Sequence, residues 1–124
     1  MREMSNPCAV LVVEDEPLVR MIAVELLRDA GLEVCEADRA DGAIPVLEAH
    51  KEIRVIFTDV RMPGSMNGYA LAHYVRGRWP SIKIIVTSGH TKVREDSLPP
   101  GAVFMPKPYD PALLPQRVKE MIAA

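Results

Sequence analysis

The stretch IRVIFTDVRMP, residues 53–63, decides how the rest of the chain is interpreted. Its apolar and β-branched first half is too short for a helix and is typical of a strand buried on both faces of a parallel sheet. The run ends on an acid, Asp59, and Pro63 follows. Because open α/β sheets bind ligands at the carboxyl ends of their strands, Asp59 is a candidate functional residue, with a simple turn cap as the alternative.

The segments around this stretch alternate between strand-like and helix-like patterns. Strands are predicted at residues 8–13, 32–37, 53–59, 82–88 and 102–105. Helices are predicted at 18–30, at 38–50 with Asp38 as the cap and a bend or delayed start at Pro45, from 67 or 68 to 79, and from Asp110-Pro111 to the C-terminus. This alternation favours parallel pairing with right-handed crossovers. We therefore expect one α/β domain over residues 1–124, a doubly wound five-stranded parallel sheet with helices on both faces.

Composition places the chain among ordinary globular domains. Of its 124 residues 48% are hydrophobic and 26% charged, and the net charge of −2 lacks the basic excess that non-specific nucleic-acid binding requires. No apolar run approaches the ~20 residues of a membrane span, and the N-terminus lacks a signal peptide's apolar segment. We expect a cytoplasmic protein without nucleic-acid or membrane partners. The two cysteines, Cys8 and Cys35, lie in apolar stretches, which favours buried thiols over a disulfide or a redox pair.

Side chains capable of chemistry stand at the carboxyl ends of four predicted strands. They are Glu14 and Asp15 after the first strand, Asp59 at the third, Thr87 and Ser88 at the fourth, and Lys107 after the fifth. Carboxyl ends of parallel strands share one edge of the sheet, so these groups are expected to converge. Three neighbouring acids resist ionisation unless a cation joins them, and oxygen ligands suit Mg²⁺, with Mn²⁺ as a substitute. Acids, metal, hydroxyl and lysine together describe a site for phosphorylating a carboxylate.

Over residues 8 to about 122 the sequence resembles the receiver domain of two-component response regulators. LVVEDEP (residues 11–17) is similar to the acidic-pair motif of that family, and TDVRMPG (58–64) to the segment carrying its phosphoacceptor aspartate. VTSG (86–89) resembles the strand-four hydroxyl with its small neighbour, and Lys107-Pro108 the lysine with a cis peptide to proline. The resemblance implies a flavodoxin-like fold with strand order 2-1-3-4-5.

The resemblance also implies a role for each matching residue. Asp59 would accept the phosphoryl group. The metal would be held by Glu14, Asp15, Asp59 and the backbone carbonyl of Arg61. The residues that bind the phosphoryl group and change conformation on phosphorylation would be Ser88, Lys107 and Phe104. Ser88 is preferred to Thr87 as the hydroxyl because the small residue Gly89 follows it. Glu14 replaces the commoner aspartate, so we expect its contact with the metal to run through water.

The function implied is phosphorelay signalling rather than enzyme catalysis. A histidine kinase or a histidine phosphotransfer protein would donate the phosphoryl group, and a switched surface would contact a downstream protein. We expect a monomer before phosphorylation, either free-standing or cut from a larger hybrid kinase. The alternative is a small phosphohydrolase with an aspartyl-phosphate intermediate, but such enzymes place a second aspartate two residues after the nucleophile, where this chain has Arg61.

The segment between the last two predicted strands departs from the pattern of the family. Residues 89–101 offer only Val93 and Leu98 as large apolar side chains and close with Pro99-Pro100. A helix that packs on a sheet needs an apolar stripe, which this segment lacks. We therefore expect the fourth helix of the family to be shortened or missing here.

Overall fold

The computed structural model describes residues 7–62, 64, 66–89 and 95–124. Its strands are β1 (Val10–Val13), β2 (Val34–Ala37), β3 (Val55–Asp59), β4 (Lys83–Ser88) and β5 (Val103–Pro106). All neighbouring strands pair in parallel, in the order β2-β1-β3-β4-β5. The predicted doubly wound sheet and its strand order are confirmed.

Four α-helices connect or follow the strands within the described ranges. They are α1 (Pro17–Asp29), α2 (Ala40–Ala49), α3 (Gly68–Arg78) and α4 (Leu113–Ala123). Between β4 and β5 the described residues hold a single 3₁₀ turn, Glu95–Ser97, and no α-helix, while residues 90–94 of that segment lie outside the described residues. None of the helices in the described part of the chain is long and apolar enough to cross a bilayer.

The sheet separates two apolar cores because successive side chains of a strand point to opposite faces. Val12 and Phe57 pack with α1 and α4 on one face, whereas Leu11 and Ile56 pack with α2 and α3 on the other. Every residue of β3 is buried, as predicted for a strand covered on both faces. This burial makes β1 and β3 a rigid base whose carboxyl ends carry the acids.

Two helix starts differ from the prediction. Asp38 does not cap α2: the helix follows Arg39 without a side-chain cap bond and runs through Pro45 with no delayed start. The last helix begins only after Ala112, whose backbone N–H donates to Asp110 Oδ1 at 2.9 Å. Asp110 therefore closes a turn of its own ahead of the helix, a common use of an aspartate in a loop.

The prediction of buried free thiols is wrong, because Cys8 and Cys35 form a disulfide. Cys8 lies two residues before β1, and Cys35 lies in β2, where it pairs in register with Leu11. The two Cα atoms are 5.6 Å apart, within the usual range for a disulfide. Composition gave no sign of this pairing because parallel strands bring together residues that are 27 positions apart in the chain.

Candidate functional site

One lysine joins the carboxyl ends of β1 and β3. Lys107 Nζ lies 2.6 Å from Asp59 Oδ2 and 3.0 Å from Glu14 Oε1. Lys107 follows β5, so its side chain must cross the end of β4 to reach Asp59, and it does so over Gly89, where an added Cβ would lie 3.5 Å from Lys107 Cδ. The predicted convergence of these charged groups at one edge of the sheet is therefore observed.

Asp59 is held in one orientation from several directions. It is only 7% exposed, and its second oxygen, Oδ1, accepts a hydrogen bond from the backbone N–H of Arg61 at 3.0 Å. The first residue of α3, Gly68, donates its N–H to the carbonyl of Val60 at 2.8 Å. A Cβ at Gly68 would overlap the backbone carbonyl oxygen of Asp59, so only glycine allows α3 to start this close to the acid.

Glu14 is the more deeply buried of the two bridged acids, at 4% exposure. Burial raises the pKa of Glu14 to about 7, and the nearby Asp59 adds to the rise, against the opposing hydrogen bonds from Lys107 and from the Glu16 N–H. Burial by itself would lower the pKa of Lys107, but its bonds to Asp59 and Glu14 outweigh burial and raise it. Lys107 therefore stays charged, and Glu14 titrates near neutrality.

An open cavity of about 580 Å³ lies in front of Asp59, and its walls include Asp15, Arg61 and Lys107. Of the acidic pair, Asp15 thus faces the cavity, whereas Glu14 is bonded to Lys107. Over the described ranges no three His, Cys, Asp or Glu side chains lie close enough to hold a metal unaided. This donor set fits Mg²⁺, which takes one or two carboxylates and keeps several waters, better than it fits a metal needing a full protein cage.

The comparisons with known proteins give the family of this chain. The family model for the response regulator receiver domain matches residues 10–119. The chain belongs to the response regulator receiver family. Phosphorelay signalling is the function of that family, and the receiver domain is accordingly a signalling domain.

The named relatives of the receiver domain are much longer proteins. It is 36% identical to the sensor kinase CckA of Brucella abortus over 97% of this chain, and 31% identical to the response regulator protein FleR of Pseudomonas aeruginosa over 82%. The chain spans only 13% and 22% of those two proteins, respectively.

Solved structures match over nearly the full length of the receiver domain. The receiver domain of NtrX from Brucella abortus is 27% identical, with a TM-score of 0.84 over 93% of this chain and 98% of that one. The receiver domain of the hybrid histidine kinase CckA is 36% identical, with a TM-score of 0.76 over 91% and 97% of the two chains.

The predicted switch residues of the receiver domain, Ser88 and Phe104, lie on the neighbouring strands β4 and β5. Ser88 is buried, and its backbone carbonyl accepts the N–H of Lys107 at 3.0 Å. Phe104 pairs in register with Val86, two residues before Ser88, so Phe104 and Ser88 lie on the same face of the sheet. Phe104 is half-buried. The Lys107-Pro108 peptide is cis, as the resemblance implied.

Thr87, the competing hydroxyl, directly precedes Ser88 in β4 and therefore lies on the opposite face of the sheet from Ser88. It is 1% exposed, and within the described part of the chain Thr87 Oγ1 has no hydrogen-bond partner. Neither Thr87 nor Ser88 lines the cavity in front of Asp59, although Gly89, which follows Ser88, does. The choice of Ser88 over Thr87 as the site hydroxyl therefore stays a prediction.

Sequence analysis did not single out two residues that shape the site. Gly68 was recognised only as the start of a helix, although an Asn-Gly pair that begins eight residues beyond a strand-end acid could have signalled a close backbone approach. Arg20 donates a hydrogen bond to the backbone carbonyl of Glu14 at 2.8 Å. The presence of an arginine in a predicted helix does not by itself predict such a contact.

Proposed function

We propose that Asp59 is the phosphoacceptor of this receiver domain and that the donor is a phosphohistidine on a histidine kinase or a phosphotransfer protein. The single observation that carries the proposal is the buried carboxylate of Asp59, held by Lys107 at the wall of an acidic cavity. A buried carboxylate that faces an open cavity can be reached by a partner's phosphoryl group while the surrounding protein fixes its orientation.

The transfer itself is a displacement at phosphorus. One carboxylate oxygen of Asp59 attacks as the bond from phosphorus to the histidine nitrogen breaks, and the released imidazole nitrogen then takes up a proton. Lys107 already lies within hydrogen-bond distance of Asp59, so its ammonium is placed to bind a phosphoryl oxygen as negative charge gathers there. Glu14 keeps Lys107 at the site from the other side.

We propose that Mg²⁺ is bound by Asp15, Asp59 and the backbone carbonyl of Arg61, with Glu14 acting through water. The support is the set of carboxylates, Asp15, Glu16 and Asp59, among the residues that line the cavity. When bound, Mg²⁺ would neutralise negative charge on the phosphoryl group and the acids. Mn²⁺ would substitute because its preference for oxygen ligands is similar.

Phosphorylation would then be read out on the surface formed by β4 and β5. A phosphoryl group adds charge and acceptor oxygens, which the Ser88 hydroxyl and Lys107 would bind. Movement of Ser88 would vacate space on the face it shares with Phe104, and Phe104 would turn inward. A downstream protein would recognise the changed surface. The monomeric state before phosphorylation and the cytoplasmic location stay predictions.

An apolar patch beside the cavity is proposed as the contact for the phosphodonor protein. Exposed large hydrophobic residues cluster on α1 and at the start of α4: Leu18 (69% exposed), Met21, Ile22 (56%) and Leu113. We call these four residues the α1 patch. A groove lined by Ile22, Pro108 and Tyr109 continues from it to Lys107, so a partner seated there would bring its histidine close to Asp59. Exposed apolar side chains next to a groove commonly mark an interaction site.

Intact-mass measurement after incubation with acetyl phosphate and Mg²⁺ tests the proposed function. We expect the mass of one phosphoryl group on the wild-type domain, none on Asp59→Asn, and none in excess chelator. Modification of Asp59→Asn to the wild-type extent would overturn the assignment. The phosphohydrolase alternative is not proposed, because Arg61, an exposed cation, stands where its second acid is required.

A further inference from the structure

The acidic loop between β1 and α1 is fixed by an arginine that belongs to neither the acid cluster nor the cavity wall. Arg20 Nη1 donates to the backbone carbonyl of Glu14 at 2.8 Å. Its Nε donates to Glu36 Oε1 on β2 at 2.9 Å, and the Arg20 side chain is 21% exposed. One planar guanidinium therefore connects the loop to the edge strand of the sheet.

Arg20 holds the loop on both sides of Asp15. The carbonyl of Glu14 belongs to the same peptide plane as the N–H of Asp15, so the guanidinium fixes the orientation of that plane. On the other side of Asp15, the backbone N–H of Arg20 donates to the carbonyl of Glu16 at 2.9 Å, a helical bond that does not depend on the side chain. The backbone on both sides of Asp15 is therefore held, and the guanidinium of Arg20 supplies the contact on the Glu14 side.

We propose that Arg20 is a positioning residue for the cation site, holding Asp15 in the orientation that binds a divalent cation. The inference rests on the proposed function, since it assumes that Asp15 is a metal ligand. Mg²⁺ tolerates little deviation from octahedral geometry, so a mobile carboxylate costs affinity even when its charge is unchanged. Arg20 acts through the backbone and does not itself touch the cation.

A charge-neutral double variant separates positioning from long-range electrostatics. Arg20→Met alone would leave Glu36 unpaired near the site and add attraction for cations, which would mask a loss of positioning. Arg20→Met/Glu36→Gln removes one charge of each sign and keeps the net charge at that of the wild type. Glu36→Gln alone keeps the Arg20 contact with the Glu14 carbonyl and serves as the charge control.

The same helix offers a matched structural control. Arg28, in the last turn of α1, donates from Nη2 to the backbone carbonyl of Val34 on β2 at 3.1 Å. Arg28→Met therefore removes a similar contact between α1 and the same edge strand, at the opposite end of the helix from the acids. If Arg20 matters only for packing, the two arginine variants will behave alike.

The experiment is a calorimetric titration of the folded domain with Mg²⁺, alongside thermal unfolding of each metal-free variant. We expect the Mg²⁺ dissociation constant to rise at least threefold in Arg20→Met/Glu36→Gln and to stay within twofold of wild type in Arg28→Met. Glu36→Gln should weaken binding by less than the double variant. If the double variant folds poorly, Arg20→Lys supplies the test. The same threefold loss of Mg²⁺ affinity is expected because the single nitrogen of lysine replaces a guanidinium that donates to two acceptors at once.

Wild-type Mg²⁺ affinity in a folded Arg20→Met/Glu36→Gln or Arg20→Lys variant would overturn the inference, as would an equal loss in Arg28→Met. In both cases the wild-type domain still binds Mg²⁺, and the proposed function stands. A wild-type domain that binds no Mg²⁺ would instead overturn the proposed metal site and this inference with it.

Discussion

Lys107 and Asp59 form an ion pair at 2.6 Å. Lys107 follows β5 and Asp59 ends β3, and these two strands are not neighbours in the sheet. The lysine reaches across the end of β4 over Gly89 and also contacts Glu14, the residue directly after β1. One side chain thus connects the ends of three strands. A change in the charge of Asp59 therefore directly affects the contacts of Lys107 with Asp59 and with the acidic loop.

Removing Lys107 should destabilise the metal-free domain and raise the pKa of Glu14 still further above its ordinary value. Lys107→Met leaves two buried carboxylates without their cation, and breaking a buried pair in this way costs about 3 kcal/mol. Denaturant unfolding and carboxyl NMR of Glu14 measure the two effects. Lys119→Met, which removes an exposed lysine of α4, is the control. An unshifted Glu14 in Lys107→Met would contradict the bridge.

Stability of the metal-free domain should fall as pH rises from about 5 to 7. The pKa of Glu14 is about 7 in the folded domain against 4.5 ordinarily, so within this window the folded state binds more protons than the unfolded state. Unfolding free energy therefore decreases with pH there, by roughly 1–3 kcal/mol, and levels off above the folded pKa. Glu14→Gln should remove most of the slope in denaturant titrations. A slope that persists in Glu14→Gln would assign the effect to another group.

Substitutions at the two neighbouring hydroxyls should have opposite consequences. Ser88→Ala should slow phosphorylation of Asp59 by acetyl phosphate about tenfold or more, because a hydrogen bond to the charged phosphoryl group is lost. Thr87→Val should leave that rate unchanged and raise the free energy of unfolding by about 1 kcal/mol, since the Thr87 hydroxyl is buried without a partner among the described residues. A slowed reaction in Thr87→Val with a normal rate in Ser88→Ala would reverse the assignment.

A charge on the α1 patch should impair phosphotransfer from a protein but not from a small molecule. Ile22→Glu is expected to slow transfer from a phosphohistidine protein that is active on the wild-type domain by about tenfold or more, since hot-spot truncations cost 2 kcal/mol or more. The rate with acetyl phosphate should not change. Ser81→Glu introduces the same charge just before β4, at the amino-terminal edge of the sheet, and should affect neither rate. Equal rates for Ile22→Glu and wild type with the protein donor would exclude the patch.

The sequence allowed the fold to be predicted where the local pattern and the parallel topology point the same way. In a parallel sheet, an acid at the end of a buried strand and a lysine after the last strand lie at the same edge. This holds whatever the structure of the segments that connect the strands. The helix start at Asn67 was likewise readable, because a capping side chain acts within three residues. These features depend on short-range rules and on one global constraint.

Features that depend on specific tertiary distances could not be predicted. The Cys8–Cys35 disulfide requires the register between β1 and β2, which no local pattern encodes. The Glu14 contact with Lys107 depends on the extra methylene of glutamate and on a path over Gly89. The contact of Arg20 with a backbone carbonyl carries no sequence signature, because every residue supplies the same acceptor.

The disulfide has a practical consequence for measurements on this domain. It closes a loop spanning 27 positions, and a cross-link of that length stabilises a chain by about 3 kcal/mol through the entropy of the unfolded state. Thiol reductants are routine additives in phosphotransfer buffers. They would convert the chain into a less stable form in which the edge strand β2 is no longer cross-linked to Cys8. Oxidised and reduced preparations are therefore different reference states. Unfolding data for variants should be compared at one defined thiol concentration.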